Sequence, residues 1–491
     1  MLVIGNNPKI TRQTNLIASG TLSDGTPVVV NVDGTVSSVA QTTINASSGN
    51  PQTADTNGAA IEYAACYDST NDKVVCFYNR LNDLVGVVGT VNGTTITFGT
   101  PVTISTSTTG DHNALFIPST STTGPNKVVW IGKVGSNTGS YCVCEVNGTS
   151  LTYGSVGTWN TGARSIKAAY DSTNDRIVVA YRDTAVANYP KVLMLLLQVG
   201  TSSIGTPGSP DNVASSTITD DGQISLAYSS HNSKFLITYP ASNQIKSNIL
   251  FISNAGSGTF TINGQVTVST DAITGPNYGN IVYDPDQQVM VVVYRTSSGG
   301  GFVKATGTDS STPAYGSGQT IHASMLTANA VYDSAAKKVV VFYTRDNGYG
   351  LYKDITANGT TLTVGAEQTV LAQSVSGSNL FGLVHDTEQN TNVAFFRRVG
   401  DSNHAAGVCF QLQHTVTNVT TGNYIGFPIS GGLNGQSITV KTQGEIATNV
   451  TGLTAGQVYY VQNDGSLSTT ASTPSVLAGT AISSTELIVK G

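Results

Sequence analysis

An aromatic residue followed eleven positions later by a second one recurs along the chain as Tyr67/Tyr78, Tyr170/Tyr181, Tyr228/Tyr239, Tyr283/Tyr294, Tyr332/Tyr343 and, degenerately, His385/Phe396. In most copies the first aromatic precedes an aspartate and a short polar turn, and the second closes an apolar run. A supersecondary unit repeated every ~50 residues cannot cover its own faces, so consecutive units must pack on one another. Tyr67 and Tyr170 are two periods apart. That interval predicts a further unit with a longer first turn, running from Phe116 through a Ser/Thr/Gly excursion to Trp130, which makes seven units.

Within the first unit the pattern predicts strands over 62–67, 73–78, 84–91 and 95–104. Asn92-Gly93 closes the last pair, because this dipeptide tolerates two positive φ angles at a tight hairpin. The same hairpin recurs at Asn147-Gly148 and Asn358-Gly359, each followed by a glycine seven residues after the asparagine: Gly99, Gly154 and Gly365. Four antiparallel strands per period describe a propeller blade. The predicted fold is therefore all-β, a seven-bladed β-propeller over residues 26–416. The seventh blade lacks an evident fourth strand, and residues 32–44 align with the outer part of the first blade, so the N-terminal strand is expected to complete blade seven. Residues 1–25 carry no repeat character and read as an N-terminal arm. From 417 to 491 the period stops, and short alternating runs between Gly, Asn and Asp turns predict a small β-rich C-terminal module.

Composition agrees. Only 11% of the 491 residues are charged, and Gly, Ser, Thr and Asn replace helix formers. The net charge of -6 and the absence of a basic run argue against a nucleic-acid partner. No run of ~18 apolar residues predicts membrane insertion, and the N-terminus has no signal-peptide pattern, so a standard secretory route is not expected. The five cysteines lack metal-ligand spacing and read as core thiols.

Candidate functional residues follow the repeat. Arg80, Arg182, Arg295, Arg345 and the pair Arg397/Arg398 stand one or two positions past the second aromatic, placing cations around one rim. Guanidinium matches carboxylate or phosphate with paired donors, so one reading is a rim for acidic glycans or lipopolysaccharide phosphate; the other is a structural role within each blade. Asp68, Asp171, Asp284, Asp333 and Asp386 occupy the opposite turns and read as turn formers, with too few oxygens nearby for calcium. Trp130, Trp159, Tyr349 and Tyr352 break the repeat and are the irregular-loop candidates for specific recognition. The six glutamates and scattered histidines show no metal spacing, nucleophile elbow or phosphate loop. No cofactor, metal or catalytic residue is expected, and the chain is read as non-enzymatic.

The C-terminal stretch GLTAGQVYYVQNDGSLSTT…PSVLAGTAISSTELIVKG resembles the terminal β-module of tailed-bacteriophage virion proteins, particularly marine, cyanophage-like ones. YDSTNDKVVxxYxR, VNGTTITFGTPVTI and ASGTLSDGTPVVVNVDGTV likewise resemble propeller-bearing tail fibre or receptor-binding proteins. The resemblance implies a virion surface protein assembled in the host cytoplasm, a homo-oligomer whose partners are other virion proteins and a host cell-surface glycan or protein. Host attachment is the leading expectation. A structural role in capsid or neck decoration or a tail-tube or nozzle component is the alternative, and a polysaccharide depolymerase the third.

Overall fold

The computed structural model describes residues 12–107, 109–120, 126–197, 204–205, 208–218, 224–271, 279–375 and 381–490. Residues 121–125 of the predicted long turn, and residues 1–11 of the N-terminal arm, lie outside them. Among the described residues every regular element is a strand, and the chain divides into two compact units, 46–412 and 1–45 with 413–491.

The described residues of the larger unit form seven antiparallel sheets. The first contains Ala60–Asp68, Lys73–Arg80, Asp83–Asn92 and Thr95–Phe98, with Val102–Ser105 continuing the outer edge. The second begins with Thr109–Ile117 and Lys127–Val134, the third with Ala163–Asp171 and Arg176–Asp183, the fourth with Ser225–Ser229 and Lys234–Ala241. The fifth, sixth and seventh begin with Gly279–Asp284, Thr327–Asp333 and Gly382–Asp386, each followed by its own second strand. Each first strand neighbours the first strand of the next sheet, and Gly382–Asp386 neighbours Ala60–Asp68.

The core lies between sheets. Each consecutive pair shares one hydrophobic cluster, and the seventh and first share theirs, built from Val74, Cys76 and Tyr78 against Val393, Phe395 and Cys409. Covering both faces explains why second strands such as Val289–Arg295 read as unbroken apolar runs. The turns after the first strands share one construction. In five sheets a buried aspartate accepts the backbone N–H groups two and three residues on, as Asp171 does from Thr173 at 2.9 Å and Asn174 at 3.0 Å. Five residues after the first aromatic, the chain passes through the left-handed region, at Asp72, Asp175, Ser233, Gln288, Lys337 and Asn390. All five cysteines are buried and free, as core thiols would be.

The N-terminal expectations need correction. The edge of the seventh sheet is not formed by residues 32–44. Ser47–Ser48 and Gln52–Asp55 pair there with Ala405–Gln411. The physical reason is a close approach. A Cβ at Gly49 would lie 1.8 Å from the Thr94 carbonyl oxygen, just as one at Gly99 would lie 1.9 Å from that of Thr149. Gly49 therefore serves the seventh sheet as Gly99 serves the first. Asp33-Gly34 does turn a hairpin, but its strands Val28–Val30 and Val36–Ser38 belong to the smaller unit, in a sheet with Tyr424–Pro428, Ser437–Lys441 and Gln13–Ile17. The described part of the predicted arm is thus a strand paired with the C-terminal segment, Gln13 opposite Lys441. Gln41–Ile44 pairs with His414–Thr417, and a second five-stranded sheet holds Val458–Val461, Val476–Ala481 and Leu487–Val489.

Candidate functional site

The second aromatics are core residues with a polar end. Tyr78, Tyr181, Tyr239 and Tyr343 are fully buried. Tyr78, Tyr181, Tyr294 and Tyr343 each meet a residue at the end of the preceding sheet's outermost strand, whereas the Tyr239 hydroxyl donates to Asn248 of its own sheet at 2.7 Å. Asp55 accepts the Tyr78 hydroxyl at 2.8 Å, and the Asn160 amide donates to the Tyr181 hydroxyl at 3.2 Å. Ser269 hydrogen-bonds Tyr294, and the His322 ring lies 6.1 Å from that of Tyr343. Where the aromatic is Phe396, the corresponding residue is Leu371, in the same apolar cluster.

The arginines at the second-strand ends are largely committed to the fold. Arg80 donates to Asp55 at 2.9 Å and to Thr103 at 2.7 Å. Arg345 pairs with Glu367 at 3.0 Å, the same carboxylate that accepts the Tyr343 hydroxyl at 2.6 Å. Arg398 faces Asp401 at 3.5 Å, Arg182 is buried, and Arg295 and Arg397 are half-buried. At Arg80, Arg345 and Arg398 a carboxylate of the fold faces the guanidinium, where a free anion-selective rim would present it to solvent.

Three of the irregular aromatics also lie inside. Trp130 is fully buried and donates its indole N–H to His112 Nδ1 at 2.8 Å. It occupies the space of a missing tyrosine: the second-aromatic position of this sheet is Gly132, where a Cβ would lie 2.6 Å from the Trp130 ring. Trp159 donates to the Ser140 carbonyl at 3.1 Å and packs edge-on against Tyr181, and Tyr352 stacks on Phe410 at 5.1 Å. Rings covered in this way cannot stack on a ligand. Tyr349 is exposed.

Sequence reasoning missed Leu81 and Val186. Both are exposed, Leu81 to 69%, and with Tyr349 they stand in loops joining second to third strands. Leu81 also adopts φ of +59°, which is costly for a bulky side chain. Its only sequence signal is an apolar residue at a two-residue hairpin tip.

A second feature is a cavity of about 190 Å³ lined by residues from the first strands of all seven sheets, among them Ala64, His112, Lys167, Leu226, Asn280 and Leu383. Beside it the first strands of the first three sheets bulge at Glu62, Asp111 and Ser165, each with φ between +51° and +55°. Asp111 Oδ2 accepts the Ser165 N–H at 3.1 Å. Glu62 in turn accepts the Asp111 N–H, yet burial, reinforced by the Asp111 charge, pushes its carboxyl above the usual range. Among the described residues no three His, Cys, Asp or Glu side chains converge as metal ligands.

No family model and no curated protein matches the sequence. Among solved structures, the chain is similar to a six-bladed β-propeller fungal lectin of Aleuria aurantia with a fucose recognition mode, at 11% identity and a TM-score of 0.41, covering 65% of this chain and 99% of that one. It is also similar to the WD40 domain of Toxoplasma gondii coronin, at 10% identity and 0.44, covering 82% and 88%. AofleA from Arthrobotrys oligospora aligns at 9% identity and 0.41, covering 73% and 99%. All three likenesses are weak.

Proposed function

We propose that the seven sheets are the blades of a seven-bladed β-propeller, closed at the seventh by residues 47–55, and that the chain is a non-enzymatic tailed-bacteriophage surface protein serving host attachment. One observation carries the binding reading. Among the described residues of the larger unit, the exposed large apolar side chains are Leu81, Val186, Tyr349 and Tyr153, and the first three share one class of loop. In propeller geometry those loops surround a single rim. Apolar side chains gathered on one rim, one of them on strained backbone, suit recognition of a partner surface. Arg80, Arg345 and Arg398, paired with carboxylates, would then shape the rim and leave the contacts to neighbouring apolar and polar groups.

The smaller unit supports a division of labour. Ile17, Ile429, Leu433, Ile446, Val458 and Ile482 are all exposed there, a density suited to packing against other virion proteins or further copies of the chain. The phage assignment rests on the sequence resemblance of that unit and of the repeat motifs in the larger one.

The test is whether the purified chain binds susceptible bacterial cells and blocks phage adsorption, compared with a triple variant L81S/V186S/Y349A. Saturable, competing binding that the variant loses supports attachment through this rim. No binding by the folded protein would move the assignment to a structural decoration, and release of reducing sugar from host polysaccharide would make it a depolymerase.

A further inference from the structure

We propose that the cavity between the first strands is a binding site for a small carboxylate, held by Lys167. At the position three residues before the first aromatic, the second, fifth and sixth sheets carry Asn113, Asn280 and Asn329, and the third carries Lys167. The asparagines spend their amides on the fold. Asn113 donates to the Ile166 carbonyl at 3.0 Å, Asn280 to Ala330 at 3.2 Å and Asn329 to Phe381 at 2.7 Å, each tying one first strand to the next.

Lys167 does nothing of the kind. Its side chain lines the cavity, and none of the described residues gives its ammonium a hydrogen bond or an ion pair within 4 Å. The surrounding protein pushes the ammonium below its usual range, and the charge of Asp111 only partly offsets this. A half-buried cation that lines a cavity without a protein partner is a binding group for an anion.

The remaining lining sets the ligand's size and charge. His112 adds no second cation: burial and Lys133 lower its pKa to about 3, and its Nδ1 accepts the Trp130 N–H. One cation matches one negative charge, and a dianion would leave charge uncompensated. Ala65, Ala168, Ala328 and Ala330 line the cavity with methyl groups. The space equals that of about six waters, enough for a carboxylate with a short apolar body.

The experiment titrates acetate, propionate and inorganic phosphate separately into the full-length chain and follows binding by calorimetry and by tryptophan fluorescence, since Trp130 is bonded to cavity-lining His112. Saturable propionate binding is expected, weakened at least tenfold in K167M and unchanged in K337M, whose lysine is exposed. A328M, which fills the cavity and leaves Lys167 in place, should also abolish it, so the idea stays testable if K167M does not fold. Absence of saturable carboxylate binding, retention of it in the folded variants, or tighter binding of phosphate would overturn the proposal. This site is separate from the rim loops, so its failure leaves the attachment reading standing.

Discussion

Asp55, at the end of the outermost strand of the seventh sheet, accepts the hydroxyl proton of Tyr78, on the second strand of the first sheet, at 2.8 Å. The same carboxylate oxygen accepts Arg80 Nη1 at 2.9 Å. The chain's N-terminal portion thus supplies both the missing edge of one sheet and the buried polar contact that joins it to the next. Equivalent residues join several other pairs of neighbouring sheets, so the contact between the seventh and first sheets is of the same kind.

Truncating that carboxylate should be costly. Burial alone would push the Asp55 carboxyl up, but the Asn57 N–H, the Tyr78 hydroxyl and Arg80 together outweigh it and hold the carboxyl below its usual range. D55A leaves the mostly buried Arg80 guanidinium with only Thr103 and, at 3.8 Å, Asp83, and leaves a buried hydroxyl unpaired, and is expected to destabilise the chain by roughly 3 kcal/mol. Because the folded state binds this proton less readily than the unfolded one, the contribution is present above the ordinary carboxylate range and lost as pH falls through the lowered folded value. Denaturant titrations should therefore show the difference between wild type and D55N shrinking in acid; a pH-independent difference would count against the ion pair.

The Phe396 and Leu371 pair offers a compensating exchange. F396Y places a hydroxyl against an apolar neighbour inside a buried cluster, with an expected loss of about 1–3 kcal/mol. The double variant F396Y/L371N recreates the Tyr181 and Asn160 arrangement and should recover part of that loss. Chemical denaturation of the two single variants and the double variant gives the coupling, and strict additivity would show that the two positions do not meet.

How much of this was legible depended on whether the signal lay in one segment. The turn aspartates and the tyrosine spacing are local, and they located the sheets, including the second, where no aromatic pair marks it. The inter-sheet contacts were hidden because their partners are far apart in sequence. The closing strand was misplaced for a specific reason: Asp33-Gly34 mimics the Asn92-Gly93 hairpin. The better signal was the spacing of Gly49 and Pro51, which repeats that of Gly99 and Pro101. The arginine register was visible, but the carboxylates facing Arg80 and Arg345 were not. Trp130 looked irregular because it fills the space left by Gly132.

Glu62 should show the opposite pH behaviour to Asp55. Burial, then the charge of Asp111, raises its carboxyl, while Lys133 and the Asp111 N–H pull it back. The folded state consequently binds this proton more tightly than the unfolded one, and stability falls as pH rises from the ordinary carboxylate range through the raised value. E62Q retains an oxygen for the Asp111 N–H and removes the charge. At neutral pH it is expected to melt at or above the wild-type temperature, with the advantage disappearing in acid. A variant less stable than wild type at neutral pH would mean that the Glu62 charge supports the bulge.

Gly99 should tolerate no side chain. A Cβ there would lie 1.9 Å from the Thr149 carbonyl oxygen, and the obstacle is backbone that cannot turn aside as a long side chain could. Relief requires the first and second sheets to separate at their outer edges, where Val102, Ile104 and Leu151 share the apolar cluster between them. G99A is therefore expected to cost about 1–3 kcal/mol, the usual range for overpacking. G49A should behave alike, because its Cβ would meet the Thr94 carbonyl at the junction of the seventh sheet with the first. G422A, with nothing within 4 Å of its added Cβ, serves as the control and should change little. Thermal melts of the three variants decide the matter. If G49A were as harmless as G422A while G99A were not, residues 47–55 would not close the seventh sheet against the first.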